Sequence, residues 1–343
     1  MNRARGLDSI RFICAFWVCL GHSAAPAFSD PFEHGSYWSL ALRGFYNNLW
    51  NGPAAVIVFF IISGFCIHFP FAGPDRTPVL KVFYTRRFLR LLIPVAVVIP
   101  VASFLNVRLG LFEESILWSL LAEMIYYACY PALRMVQIRM GGWTWILAGS
   151  FCVAFAVVLT SPHAGNYPSY GPALNWLLGL PCWLLGCDLA ERTRGKTITP
   201  PSAGAIRAWR ASVCAAAWLC SVLRFHSPVG FPWTLNIFAV LAAAWLYREI
   251  GYRQVVAPLR VLEWAGTWSY SLYLMHLPAM VAFAGFHPAS GPVVKWFLMR
   301  LFPFACSYVF YLVVERPAHV LARNVSAMLQ STGDRSWNFK VSP

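Results

Sequence analysis

The chain has 343 residues, of which 59% are hydrophobic and only 12% charged, about half the charged fraction of a soluble domain. That composition excludes a soluble globular enzyme and leaves a polytopic membrane protein. The net charge of +14 suggests a nucleic-acid binder only until the basic residues are placed along the chain, where they follow membrane topology.

A bilayer-spanning helix needs about 20 mostly apolar residues. Ten such stretches are predicted, at 9–28, 52–72, 89–106, 114–131, 143–160, 174–189, 208–225, 233–249, 264–285 and 295–314. The expected fold is all-α, a polytopic transmembrane helix bundle. If the N-terminus is cytoplasmic, 22 of the 27 basic residues fall on the cytoplasmic side, and only Arg43, Arg108, Arg224, Lys295 and Arg300 fall outside. This is the positive-inside pattern, and an even span count then makes both termini cytoplasmic.

The first stretch, SIRFICAFWVCLGHSAAPAF, carries Arg11 and His22 eleven residues apart. Eleven helical steps return to within about 20° of the start, so the two share a stripe, about 16–17 Å apart along the axis. Cys14, Ala15 and Val18 lie between them on that face. These small residues suit either a slim track for a ligand or a close helix neighbour. An ionisable group such as His22 in hydrocarbon faces a cavity or a partner. Arg3, Arg5 and the small residues of HSAAPA mimic a secretory signal, but Asp8 and Arg11 interrupt the apolar run, so the span is expected to be retained.

Residues 29–52 are expected to form a long, aromatic outer loop, whose Trp38, Tyr46 and Trp50 suit sugar stacking or the membrane interface. In KVFYTRRFLRLLIP (81–94), a helix presents Arg86, Arg87 and Arg90 as one cationic cluster. The cluster suits a lipid-headgroup anchor or, because guanidinium forks match phosphate oxygens, a phosphate cradle.

Polar residues in later spans recur at helical spacing: Ser119, Glu123, Tyr126 or Tyr127, and Tyr130; Ser269, Tyr273 and His276; Tyr308, Tyr311 and Glu315. Most such Ser and Tyr residues serve interhelical hydrogen bonding, whereas Glu123 and His276 sit near mid-membrane. The ten cysteines show no CxxC pair and no zinc-like spacing, so they are expected to be small buried side chains and no metal is expected. TRGKTITPPSAGAI (193–206) reads as a cytoplasmic loop.

Together these features suggest acyl transfer. Cytosolic arginines would hold the phosphates of an acyl-coenzyme A, the pantetheine arm would follow the small-residue track, and the thioester would reach His22. A neutral imidazole there would act as general base or as transient acyl carrier. Glu123 or Glu315 would fix the histidine's tautomer or order an arginine.

At this point the chain resembles the integral-membrane acyltransferase family 3, whose members O-acylate bacterial surface glycans, nodulation factors and some macrolides. The matching pieces occur in family order: LDSIRFICAFWVCLGHS with its Arg-x10-His spacing, VFFIISGFCI (58–67), YTRRFLRLLIP (84–94), WSLLAEMIYY (118–127), SYSLYLMHLP (269–278) and VVERP (313–317). The resemblance implies ten spans in the bacterial inner (cytoplasmic) membrane, an acyl-CoA co-substrate, usually acetyl-CoA, and a carbohydrate or glycoconjugate hydroxyl as acceptor. It carries the essential histidine onto His22, with Glu123 as a further catalytic candidate. Donor binding falls to Arg11, Arg87 and Arg90, with Arg86 adjacent, and substrate contacts to Ser63 beside Gly64, Tyr270 and His276. Residues 1–320 form the expected acyltransferase unit and 321–343 a short cytoplasmic tail, with no SGNH-type esterase domain following the last span. Membrane lipids are expected partners, nucleic acid is not, and the sequence assigns no oligomeric state. The rival reading is a transporter or flippase of an anionic or lipid-linked substrate, whose midplane charges and cationic mouth would look similar.

Overall fold

The computed structural model describes residues 5–23, 37–73, 77–110, 115–286 and 291–338. Among these residues there are thirteen α-helices and no strand. They are α1 (Leu7–Gly21), α2 (Tyr37–Leu49), α3 (Gly52–His68), α4 (Leu80–Phe104), α5 (Trp118–Arg139), α6 (Thr144–Thr160), α7 (Gly171–Thr193), α8 (Ala203–His226), α9 (Phe231–Val255), α10 (Arg260–Gly266), α11 (Ser269–Gly285), α12 (Pro292–Phe310) and α13 (Arg316–Asn338). Each of the ten predicted apolar stretches contains a helix.

Five helical segments are long and apolar enough to cross a bilayer: Leu40–Phe71, Leu80–Phe104, Pro168–Thr193, Ala203–His226 and Val294–Gln330. The other stretches fall short for two reasons. α1 has 15 residues and α6 and α11 have 17 each, only about 22–26 Å at 1.5 Å per residue. α5 and α9 have the length but carry internal polar groups such as Glu123, Asn236 and Glu249.

α3 is the centre of the bundle, with fourteen of its 17 residues buried. Its start is fixed by Asn51, whose Oδ1 accepts the Ala54 N–H at 2.9 Å, and by Pro53 in the first turn. Asn51 Nδ2 donates to the Ala217 carbonyl at 2.7 Å, tying α3 to α8. α3 and α7 cross backbone against backbone. A Cβ on Gly64 would lie 1.9 Å from the Trp183 carbonyl oxygen, and one on Gly186 would lie 1.9 Å from that of Ile61. Small residues permit such an approach, which substitutes packing for the missing hydrophobic drive in lipid.

α1 packs against α3, α10 and α11. Cys14 and Val18 belong to the main core, and Ala15 packs with Ala265, Trp268 and Leu272. At Cys14 and Ala15 neighbouring helices fill the stripe, so the close-neighbour explanation holds there, whereas Val18 also lines a cavity described below.

Two elements went unpredicted. Residues 37–49 of the expected outer loop form α2, which rests on α8 through Asn48 Nδ2 and His226 Nε2, 3.3 Å apart, and through Phe45 and Trp218. Residues 316–338 form α13, which follows a π-turn at Tyr311–Glu315 and packs along α4. The expected boundary at 320/321 therefore falls inside a helix.

Candidate active site

A cavity of about 930 Å³ opens at one end of the bundle. Its rim and walls come from the N-terminal ends of α1, α4 and α11 and from the C-terminal ends of α3 and α7. Arg11 on α1 and Arg86, Arg87 and Arg90 on α4 all line it. The helical spacing that groups the three α4 arginines thus places them opposite Arg11. Arg11 Nη1 lies 3.7 Å from Asp8 Oδ1, too long to saturate the guanidinium. Among the described residues, Arg86, Arg87 and Arg90 form no ion pair, and Arg87 lies over the Phe83 ring at 6.0 Å. Guanidinium groups that line one cavity with so little ion pairing suit an anionic ligand.

Glu123 stands on the same wall. Its Oε1 accepts from Ser63 Oγ and from Tyr127 OH, both at 2.5 Å. Ser63 also lies 3.1 Å from Tyr127 OH and accepts from Trp183 Nε1 at 3.3 Å. The residue adjacent to the SGF glycine is therefore wired to the α5 carboxylate, and Tyr127 rather than Tyr126 completes the group. Tyr126 instead donates to the Trp176 carbonyl. Tyr270 reaches across from α11, its hydroxyl donating to the Leu91 carbonyl at 3.1 Å. Glu315 is 1% exposed, and its Oε2 accepts from the Ser271 N–H at 3.1 Å and from Ser271 Oγ at 2.5 Å.

The floor of this cavity includes the turn after α3. Arg194 Nη1 donates to the carbonyls of Phe69, Pro70 and Ala72, while Arg134 Nη2 donates to those of Phe71 and Gly73. Arg134 also meets Glu191 at 3.2 Å and Gln137. Glu191 in turn accepts from His68 Nε2 at 2.8 Å. Sequence reasoning counted Arg134 and Arg194 only as positive-inside charge. Their role depends on a turn seen only in the fold.

A second cavity of about 430 Å³ opens at the opposite end, between the C-terminal end of α1, the N-terminal ends of α3, α5 and α9, and the segment before α7. His22 lines it, at the C-cap of α1. His22 Nδ1 is 2.9 Å from the Val18 carbonyl oxygen, which accepts only from an N–H. That bond selects the tautomer with an unprotonated Nε2. A main-chain carbonyl thus fixes the histidine, and neither Glu123 nor Glu315 does so. The carboxylates are engaged with Ser63, Tyr127 and Ser271 instead.

His276 is fully buried and lies outside the lining of both cavities, so the structure does not bring it to a substrate wall. It packs against His22 with ring centroids 5.1 Å apart, and its Nδ1 lies 2.7 Å from the Tyr273 carbonyl. Two residues, Val56 and Tyr273, line both cavities. The Tyr273 hydroxyl donates to the Ile116 carbonyl at 2.5 Å and lies 2.8 Å from Ser119 Oγ.

An all-helical, multi-pass integral membrane protein with an arginine-lined cavity on one side and a histidine chamber on the other is what these features define. The family profile described as an acyltransferase domain matches residues 5–312. The chain belongs to acyltransferase family 3 and is a membrane acyltransferase. Comparison with curated proteins and with solved structures found no match.

Proposed function

We propose that the protein is an acyl-CoA-dependent O-acyltransferase of the bacterial inner membrane. It moves an acyl group, acetyl first among them, from cytosolic acyl-CoA to a hydroxyl of a carbohydrate or glycoconjugate such as a surface polysaccharide. One observation carries this reading: the arginine cavity and the His22 chamber lie at opposite ends of the bundle and share Val56 and Tyr273 as lining residues. The same proposal includes ten spans with both termini cytoplasmic, which turns the arginine cavity toward the cytosol and the His22 chamber away from it.

In this scheme Arg11, Arg86, Arg87 and Arg90 bind the donor's phosphates through charge-assisted hydrogen bonds. Glu123, held by Ser63 and Tyr127, spaces and orients Arg11, within whose electrostatic reach it lies. His22 Nε2 removes the acceptor hydroxyl proton as that oxygen bonds to the thioester carbonyl carbon. The C–S bond breaks, and the imidazolium returns the proton to the departing thiolate. In the covalent variant, Nε2 bonds to the thioester carbonyl carbon and expels the coenzyme A thiolate; the acceptor oxygen then takes the acyl group from Nε2, and its proton passes by way of the imidazole to the thiolate. Membership of the acyltransferase family favours this scheme over a transporter.

The test uses proteoliposomes with acetyl-CoA sealed on one side and a glycan extract on the other. Acetylated glycan opposite the donor supports the scheme. Acetylation only when donor and glycan share a side contradicts the two-ended arrangement.

A further inference from the structure

We propose that Tyr273 and Val56 form an aperture that sets the length of the acyl group delivered to His22. The inference rests on the acyl-transfer reading above and adds its specificity-determining residues.

The two side chains stand in the wall that the two cavities share. Val56 on α3 is 6% exposed and Tyr273 on α11 is 7% exposed, yet each contributes to both walls. Anything that passes from the arginines to the histidine passes them. The Tyr273 ring is anchored at both ends: its backbone belongs to α11, and its hydroxyl is bonded to the Ile116 carbonyl and Ser119 at the start of α5. Phe59 abuts it edge-on, with ring centroids 6.1 Å apart and an interplanar angle of 67°. Moving the ring therefore breaks two hydrogen bonds and an aromatic contact, so the ring is held in place between the cavities. The hydroxyl is also committed to structure, which leaves Tyr273 a steric role and not that of a proton donor to the reaction.

Beyond the aperture, Trp118, Tyr167 and Leu277 share the chamber with His22. A longer acyl chain must either lie beside the Tyr273 ring or displace these groups. Discrimination in an apolar passage runs at roughly 10-fold to 200-fold per methylene.

The experiment compares purified wild type, Tyr273→Ala, Tyr273→Phe and Val56→Ala in nanodiscs. Thiol release is followed from acetyl-, butanoyl- and octanoyl-CoA, with a crude bacterial envelope glycan extract as acceptor. The expected wild type prefers acetyl. Tyr273→Ala raises the butanoyl-to-acetyl ratio of kcat/KM by roughly tenfold or more, while Tyr273→Phe, which keeps the ring, leaves it within about threefold. Val56→Ala moves the ratio in the same direction and serves if Tyr273→Ala does not fold. An unchanged ratio in either folded enlarging variant overturns the aperture alone, as does a wild type that uses octanoyl-CoA as well as acetyl-CoA. Failure of the folded wild type to use any acyl-CoA overturns the transfer reading and the aperture with it.

Discussion

His22 and His276 face one another from α1 and α11 with ring centroids 5.1 Å apart, and each bonds its Nδ1 to a main-chain carbonyl, Val18 and Tyr273 respectively. Nδ1 is therefore the donor on both rings, and Nε2 of His276 has no hydrogen-bond partner among the described residues. The arrangement orients His22 through a main-chain carbonyl and without a carboxylate.

The first prediction separates the two rings. His22→Ala should lower the transfer rate by about 10²–10⁴-fold, the usual contribution of a general base, with donor affinity unchanged. His276→Phe keeps the packing volume near His22 and should lower the rate less, again without weakening donor binding. Isothermal titration with acetyl-CoA and thiol-release kinetics read the two quantities apart. Near wild-type transfer by His22→Ala would move the base to another residue.

Donor affinity should depend on the α4 arginines. Removing a charge-assisted hydrogen bond costs roughly 1.5–3 kcal/mol, so Arg87→Ala and Arg90→Ala should each weaken acetyl-CoA binding by about tenfold or more. Lysine at either position should restore only part of it, because a point charge does not reproduce the guanidinium fork. Equal affinity in the folded alanine variants would mean that these residues serve the membrane surface alone.

A third prediction concerns the helix crossing on which Ser63 depends. Gly64→Ala places a Cβ 1.9 Å from the Trp183 carbonyl oxygen, and that oxygen is backbone that cannot rotate away. The α3–α7 contact must open, which costs at least the 1–3 kcal/mol of an overpacked core. Thermal inactivation in detergent, followed by size-exclusion chromatography, should show a clear loss of stability. Transfer should fall with it, because Ser63 moves with Gly64.

Much of this was legible in the sequence because it is local. The α4 arginines converge through i,i+3 and i,i+4 spacing, and the Ser63, Glu123 and Tyr270 positions lie in short motifs that the fold brings to one cavity. What escaped depends on contacts far apart in the chain. The stripe Cys14, Ala15 and Val18 looks the same whether a ligand or a helix fills it, and only the positions of α3, α10 and α11 decide. α2 carries Tyr37, Trp38 and Leu40 beside polar Asn47 and Asn48, too few apolar residues for a span, so its sequence resembles a loop. α13 has a mixed composition for the same reason, yet it lies along α4 and brings Gln330 to the arginine cavity.

The turn beneath that cavity provides a fourth prediction. Arg134 is 1% exposed and joins the Phe71 and Gly73 carbonyls to Glu191. Arg134→Met leaves those acceptors and the carboxylate without their buried donor, a change that costs about 3–5 kcal/mol when a buried pair is broken. The variant should unfold at markedly lower temperature than wild type in the same detergent. Unaltered thermal stability would show that the turn holds without the clamp.

The central claim is that His22 carries out acyl transfer from acyl-CoA, and it is tested most directly by one comparison. Purified wild type and His22→Ala in nanodiscs are given acetyl-CoA with and without a bacterial glycan extract. Free thiol and bound donor are then measured side by side. The account predicts glycan-dependent thiol release by wild type and none above background by the variant, with equal donor binding by both. Folded wild type that binds no acetyl-CoA, or a variant that releases thiol as fast as wild type, would contradict it.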